Sequence, residues 1–505
     1  MSTKPSVLLI HCDQLRADVL GCYGHPFVKT PNLDRLASRG AVFENAYTQT
    51  PVCVPARQNL LTGRHSWELD LLENRPEPEG KFPHLAELLG EAGYQTIALG
   101  KMHFHPARTS HGFQVMELSE EIPRRREDDE YLGYLAGKGF GFVREPHGQR
   151  HETYYEPQVS ALPAEHTTTA WTAERGAAHL RRCAQEKQRF FCKVGFIKPH
   201  PPFEPPAAFA RMYDPKELPE PPRCAEDLDP KDHYLLLQDK SKWRERTADD
   251  KMECLRSRYY GLVTFIDQEI GQICDALDES DVWDETLVVF TADHGELLGD
   301  HYHWGKRSFF EGSARIPLLM VWPGHVPAGV RLAGPVVTQD LFTTILSACE
   351  VGCPDGVYGV DLLGGVRGEA SWPRRSVVGE YGFLEGPGGG SRSPASQGAR
   401  RAPSLKFMWR EDNWKYIYMV NGRREQLFDL SQNRDEVEDL AEKRPDLCRE
   451  FYGKLVEHYE AQSGNPFVRD GKLPGCDFQR CEALDEPFTF RNFQFPTWPD
   501  ERPAE

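Results

Sequence analysis

Cys53 opens the stretch Cys53-Val54-Pro55-Ala56-Arg57, with Thr62-Gly63-Arg64 close behind it. A proline sits easily in the first turn of a helix, where its missing N–H has no partner to lose. The residue that opens such a helix meets unpaired backbone N–H groups and the positive end of the helix dipole. An anionic nucleophile or an anionic substrate group is stabilised there. A lone cysteine in this position is usually a small buried hydrophobe, so the case for chemistry depends on other segments. Asp13-Gln14 and Asp293-His294-Gly295 combine hard oxygen donors with one imidazole. That donor set suits a divalent cation such as Ca²⁺, Mg²⁺ or Mn²⁺. Gly100-Lys101-Met102-His103, Lys198-Pro199-His200 and Trp304-Gly305-Lys306 add lysines and histidines.

These segments need elements to bring them together. Ser6–Ile10, Tyr94–Leu99, Phe190–Gly195, Thr286–Phe290 and Ile316–Val321 read as short apolar strands. Helices are expected over Thr30–Arg39, after a Thr-Pro start signal, and over His84–Gly93. From Lys251 to Leu277, apolar residues fall at Leu255, Tyr259, Leu262, Ile266, Ile270, Ile273 and Leu277, which predicts a long amphipathic helix. Alternating strands and helices imply an α/β fold with a large, mainly parallel or mixed central sheet flanked by helices. In open sheets of this kind, ligand groups gather past the carboxyl ends of the strands. Asp13, Lys101, His103, His200, Asp293 and His294 all follow predicted strands. The expected division is a catalytic α/β domain over 1–375 and a smaller α+β subdomain over 376–505. The second part begins with a Gly/Ser/Pro-rich loop at Gly386–Pro403. It continues with β-ribbon segments at Lys406–Met419 and Glu425–Leu430, a helix at Pro445–Ala461 and a Pro- and aromatic-rich tail.

Lys and Arg number 60 against 77 Asp and Glu, a formal net charge of −17. That balance argues against general binding to nucleic acid or to an anionic membrane surface, and leaves room for a small anion in a locally basic pocket. No apolar signal core precedes the first strand and no stretch reaches transmembrane length. The 13 cysteines form no compact framework, although Cys476 and Cys481 are close enough to pair. A reduced, cytoplasmic protein is expected. The tail is read as wrapping the surface or a neighbouring subunit, which would make a homo-oligomer.

C-x-P-x-R followed by T-G-R resembles the signature of the type I sulfatases of the alkaline phosphatase superfamily. Matching segments run from Ser6 to about Ala441. Val54 and Ala56 depart from the residues usual in that signature. The resemblance implies an alkaline-phosphatase-like fold with a small C-terminal antiparallel sheet. It implies conversion of Cys53 to formylglycine by a formylglycine-generating enzyme, and a single divalent ion, Ca²⁺ before Mn²⁺ or Mg²⁺, held by Asp13, Gln14, Asp293 and His294. It further implies that Arg57 supports the nucleophile, that Lys101 and Lys306 bind sulfate, that His103 contacts residue 53 and that His200 protonates the leaving group. Asn74 and His105 are weaker substrate-binding candidates, with Arg108 and Arg124–Arg126 behind them. The implied reaction is hydrolysis of a sulfate monoester of a sugar or a small alkyl or aryl alcohol. Two alternatives stand beside it: a phosphonate monoester or phosphodiester hydrolase, resembled through Asp13-Gln14 and Asp293-His294, and a silent binding protein in which Cys53 is never converted.

Overall fold

The structure, a computed structural model, describes residues 4–77, 80–123, 125–150, 154–224, 249–382, 403–432 and 434–479. The expected loop at 386–402, Arg124, Cys481 and the end of the tail lie outside these residues.

Eight strands form the main sheet: β1 (Ser6–Asp13), β2 (Ala41–Tyr47), β3 (Gln95–Gly100), β4 (Val115–Leu118), β5 (Phe190–Pro199), β6 (Thr286–Ala292), β7 (Leu318–Val321) and β8 (Val330–Val337). Their order is β4-β3-β5-β1-β6-β7-β2-β8. β1 pairs in parallel with both β5 and β6. All three are buried over almost their whole length, as continuous apolar runs in a sheet covered on both faces should be. β7 runs antiparallel to β6 and β2, which makes the sheet mixed. Strand direction is not written in a four-residue apolar run. β2, β4 and β8 escape the sequence reading for a related reason. β2 carries polar Glu44 and Asn45 at a register shift, and β8 is a half-exposed edge strand containing Pro335, which edges tolerate.

The helices are α1 (Pro31–Ser38), α2 (Cys53–Thr62), α3 (Leu85–Glu91), α4 (Glu130–Gly137), α5 (Thr168–Glu186), α6 (Asp249–Ser280), α7 (Glu311–Ala314), α8 (Gln339–Ala348) and α9 (Leu363–Arg367). The seven apolar positions expected along α6 are all buried. α6 packs against α1, α5 and β5, while α2, α3 and α8 pack on one another. No helix among the described residues is long and apolar enough to cross a membrane.

The second sheet is antiparallel and contains β9 (Ser376–Tyr381), β10 (Lys406–Glu411), β11 (Trp414–Met419) and β12 (Arg424–Asp429), in the order β12-β11-β10-β9. Its side chains alternate between two cores, as the two-residue period of a strand requires. Phe407, Tyr416 and Tyr418 pack with Phe451, Leu455 and Tyr459 of α10 (Pro445–Glu460). Met408, Ile417 and Met419 face the other way and pack with Tyr47, Phe309 and Phe310 of the larger unit.

A buried carboxyl ties β9 to its surroundings. Glu380 accepts hydrogen bonds from the Trp67 N–H at 2.9 Å and the Tyr459 hydroxyl at 2.8 Å. Burial pushes it up to about 8 against the pull of those hydrogen bonds. The folded state therefore holds a proton that the unfolded chain releases near pH 4.3. The resulting stabilisation is complete below that pH and is lost as pH rises through 8. Replacing Glu380 with Gln should remove this dependence. In urea unfolding at pH 5 and pH 8, the wild type should lose about 3 kcal/mol more stability across the interval than the variant. Equal losses would refute the assignment.

Candidate active site

The carboxyl ends of four strands meet at one place. β1 ends in Asp13, and β6 continues into Asp293-His294. β3 leads to Lys101, and β5 to His200. The β3 and β5 ends approach so closely that a Cβ on Gly195 would lie 2.1 Å from the Lys101 carbonyl oxygen. Gly100 itself adopts φ 75°, which favours glycine. α2 enters from the side with Cys53 as its first residue, after an extended Val52 that provides no side-chain cap. The cap comes from a distant residue instead: the Asn74 Oδ1 accepts from the Val54 N–H at 2.9 Å.

Arg57, one turn into α2, occupies the centre. Its Nε donates to Asp293 Oδ2 at 2.9 Å, its Nη2 to Asp13 Oδ2 at 3.1 Å and its Nη1 to the Lys101 carbonyl at 3.0 Å. Asp13 and Asp293 are completely buried. Lys101 Nζ also reaches Asp13 Oδ2, at 2.5 Å, and pairs with Glu121. Cys53 Sγ lies 3.2 Å from His294 Nε2 and 3.1 Å from Lys306 Nζ, and Lys306 also donates to Gln14 Oε1 at 2.7 Å. His103 and His200 also favour the ionised form of the Cys53 thiol.

These neighbours set the electrostatics. Burial opposes ionisation of Cys53, but Lys306, His294, His103 and His200 together hold the thiol well below its ordinary value. Burial and Cys53 would raise the Asp13 carboxyl, yet Lys101, His200 and Arg57 keep it below the usual carboxylate range. Burial disfavours the charged form of His294, and Asp293 overcomes it, so the imidazole is raised. Asp13, Cys53, Asp293 and His294 present side-chain donor atoms within 4.8 Å of one another. Two carboxylates and an imidazole, with the Gln14 amide alongside, are chemically matched to a hard divalent cation.

Ten residues singled out in the sequence thus converge: Asp13, Gln14, Cys53, Arg57, Lys101, His103, His200, Asp293, His294 and Lys306. The others lie around them or further out. Asn74 caps α2, and His105 lies half-buried beside His103 with ring centroids 5.3 Å apart. Arg108 pairs with Glu130, and Arg125 with Asp128. Lys198, which also lies in the His200 segment, holds loop carbonyls and Glu204. Sequence reasoning missed the supporting carboxylates. Glu120 accepts from the N–H groups of Met102 and His103, both at 2.8 Å. Glu121 joins Lys101 to His200, and Glu296 holds the Gln14 amide. A signal existed: Glu120-Glu121 follow β4 at the carboxyl end of the sheet, but β4 itself is too short and half-buried to announce its position.

The chain resembles known proteins over most of its length. The sulfatase family model matches residues 5–351, and a model described as the C-terminal part of N-sulphoglucosamine sulphohydrolase matches residues 299–460. An arylsulfatase from Clostridium perfringens is 29% identical over 90% of this chain and 95% of its own length. A choline-sulfatase from Rhizobium meliloti is 30% identical over 87% of this chain and 83% of its own. Among solved structures, the phosphonate monoester hydrolase of Agrobacterium radiobacter superposes with a TM-score of 0.75 at 26% identity, covering 90% of this chain and 95% of that one.

Among the described residues, Arg57 is the guanidinium that pairs with both buried aspartates, so its removal leaves them short of compensation. Arg57→Met should lower stability by about 3–5 kcal/mol in urea unfolding of chelator-treated protein. Excess Ca²⁺ or Mn²⁺ should restore part of that loss. A variant as stable as the wild type would show that the guanidinium does not hold the carboxylates.

Proposed function

Because the chain belongs to the sulfatase family of the alkaline phosphatase superfamily, we propose that it is a sulfuric ester hydrolase acting on a small sulfate monoester through formylglycine at position 53, with one divalent cation. The observation that carries this reading is the position of Cys53. It opens α2 between Lys306, His103 and His200 on one side and Asp13, Asp293 and His294 on the other. A thiolate has no second hydroxyl with which to expel sulfate; the hydrated aldehyde supplies both the attacking oxygen and that hydroxyl. Cys53 is only 1% exposed, so a formylglycine-generating enzyme must act before α2 is packed.

Asp13, Asp293, His294 and the Gln14 amide are the residues that would hold the cation. Once bound, it orients the nucleophile's oxygen and offsets charge on the ester. Calcium is the first choice for this oxygen-rich set. Lys306 and Lys101 place positive charge where sulfate oxygens gather, and their effect is strengthened by burial. His200 is placed to give a proton to the departing alcohol oxygen, and His103 to take one from the group at position 53. Arg57 pairs with both aspartates and, with Lys101 and His200, holds the Asp13 carboxyl below the usual carboxylate range.

A second reading is favoured by the structural likeness to the phosphonate monoester hydrolase. That enzyme class also acts on a tetrahedral monoanion. Lys101 and His103 in the site favour sulfate.

Two measurements on protein from its native host, or matured with a formylglycine-generating enzyme, decide between the readings. Mass spectrometry of the Cys53 peptide should show loss of sulfur and gain of an aldehyde. Initial rates should favour an aryl sulfate over an aryl phosphonate by at least about tenfold, a difference of about 1.4 kcal/mol in transition-state stabilisation. A phosphonate preference of that size would assign the second reading. Unconverted Cys53 in the native host would refute the catalytic proposal and leave a binding protein.

A further inference from the structure

Glu121 touches both sides of the leaving-group machinery. Its Oε1 lies 2.9 Å from His200 Nδ1 and also pairs with Lys101 Nζ, while Oε2 faces Arg150 Nη2 at 3.5 Å. Its side chain is only 6% exposed. Burial would raise this carboxyl, but His200, Lys101 and Arg150 hold it well below its ordinary value, so it is a carboxylate. The carbonyl oxygen of Pro201 also lies 2.8 Å from His200 Nδ1. Both neighbours of Nδ1 are acceptors, which assigns a proton to that nitrogen. The changeable proton of the ring is then on Nε2, 3.4 Å from the Tyr154 hydroxyl on the side of the site. The adjacent Glu120 fixes the backbone of the His103 loop through two N–H groups. One dipeptide after β4 thus anchors both histidines.

We propose that Glu121 is a positioning residue for leaving-group protonation: it fixes the proton on His200 Nδ1, aims Nε2 at the bridging oxygen of the ester and holds Lys101 next to it. This rests on the hydrolase reading above, with His200 as the acid. As the bond from sulfur to the bridging oxygen breaks, its electron pair passes to that oxygen, which takes the Nε2 proton. Sulfur's new bond is to the incoming oxygen nucleophile, and His200 is left neutral with its Nδ1–H still on the carboxylate. A base that orients an imidazole through the opposite ring nitrogen is the arrangement that activates histidine in hydrolytic triads. The carboxylate also places negative charge beside Lys101. Its presence in an anion-binding site is explained by the two basic groups it holds, His200 and Lys101.

The test is dependence on the leaving group. An alkyl sulfate departs as a strongly basic alkoxide and needs the acid, whereas 4-nitrophenyl sulfate departs readily without it. With rates normalised to the converted fraction of residue 53, Glu121→Ala should slow the alkyl sulfate by about 100-fold and the nitrophenyl ester by less than about 5-fold. Glu121→Gln, which keeps an acceptor for Nδ1–H but not the charge, should fall between. In a His200→Ala background, Glu121→Ala should add less than about 2-fold, because the two residues act as one unit. Equal losses on both esters, additive losses, or unchanged rates would overturn the proposal. If Glu121→Ala does not fold, Glu121→Gln decides, and it should show a selective loss of about 10-fold on the alkyl ester. The wild type keeps this separate from the function itself. A converted wild type that cleaves no sulfate or phosphonate ester refutes the hydrolase reading. An active wild type whose variants show no leaving-group selectivity refutes only the role of Glu121.

Discussion

Asp13 and Asp293, carried at the ends of two adjacent strands, are brought together at zero exposure, and the rest of the candidate site is arranged around them. Two carboxylates side by side in a dry interior repel each other. Arg57 resolves this with one planar guanidinium that reaches both carboxylates and the backbone carbonyl of Lys101. Lysine at position 57 would supply the charge without the fork. Because the arginine lies one helical turn after Cys53, the same contact that steadies the carboxylates fixes the start of α2. The position of residue 53 and the position of the two carboxylates are therefore a single constraint.

That constraint is met from several directions. Lys306, beside Cys53, lies just before α7 on a chain segment gripped by the antiparallel sheet. Lys415 of β11 donates to the Phe309 carbonyl at 2.8 Å and to Glu311 at 2.6 Å, and Lys406 of β10 donates to the Arg307 carbonyl at 3.0 Å. Met408, Ile417 and Met419 press an apolar face against Phe309 and Phe310. The smaller sheet thus does more than cover the larger unit, because it sets the path of the loop that brings Lys306 to Cys53.

What the sequence discloses follows from how each feature is encoded. Asp13, His200 and Asp293 are legible because they stand at the ends of long, wholly apolar strands, and a parallel sheet has one edge where such ends meet. Cys53 and Arg57 are legible because a proline between them marks a helix start. The antiparallel direction of β7 is not encoded locally; it depends on which neighbours the strand finds. Glu120 and Glu121 are hidden for a different reason. They follow β4, whose four residues are mostly half-buried, so nothing around them signals a strand end. Asn74 shows a role that a sequence does not announce: its side-chain oxygen caps α2 from a distance of twenty residues. Acidic side chains that support basic ones are the hardest to foresee, since in sequence they resemble any surface pair.

The charge of the whole molecule and the charge of the site have opposite signs, and distance decides which a substrate feels. The formal net charge of −17 is spread over the surface, where salt screens it within about 8 Å. A long polyanion lying across the protein would meet that repulsion along its whole length. A small monoanion that enters the site meets Lys306, Lys101 and the paired histidines at hydrogen-bonding range in a poorly screened interior, where a single contact outweighs the residual surface field. The same geometry explains why carboxylates are tolerated inside an anion site. Asp13 and Glu121 hold Lys101 in place, and a lysine fixed by two carboxylates has little rotational freedom left to lose when an ester oxygen arrives. Rigid cations restrained by acidic partners, rather than a general excess of positive charge, are what make an anion site inside an acidic protein.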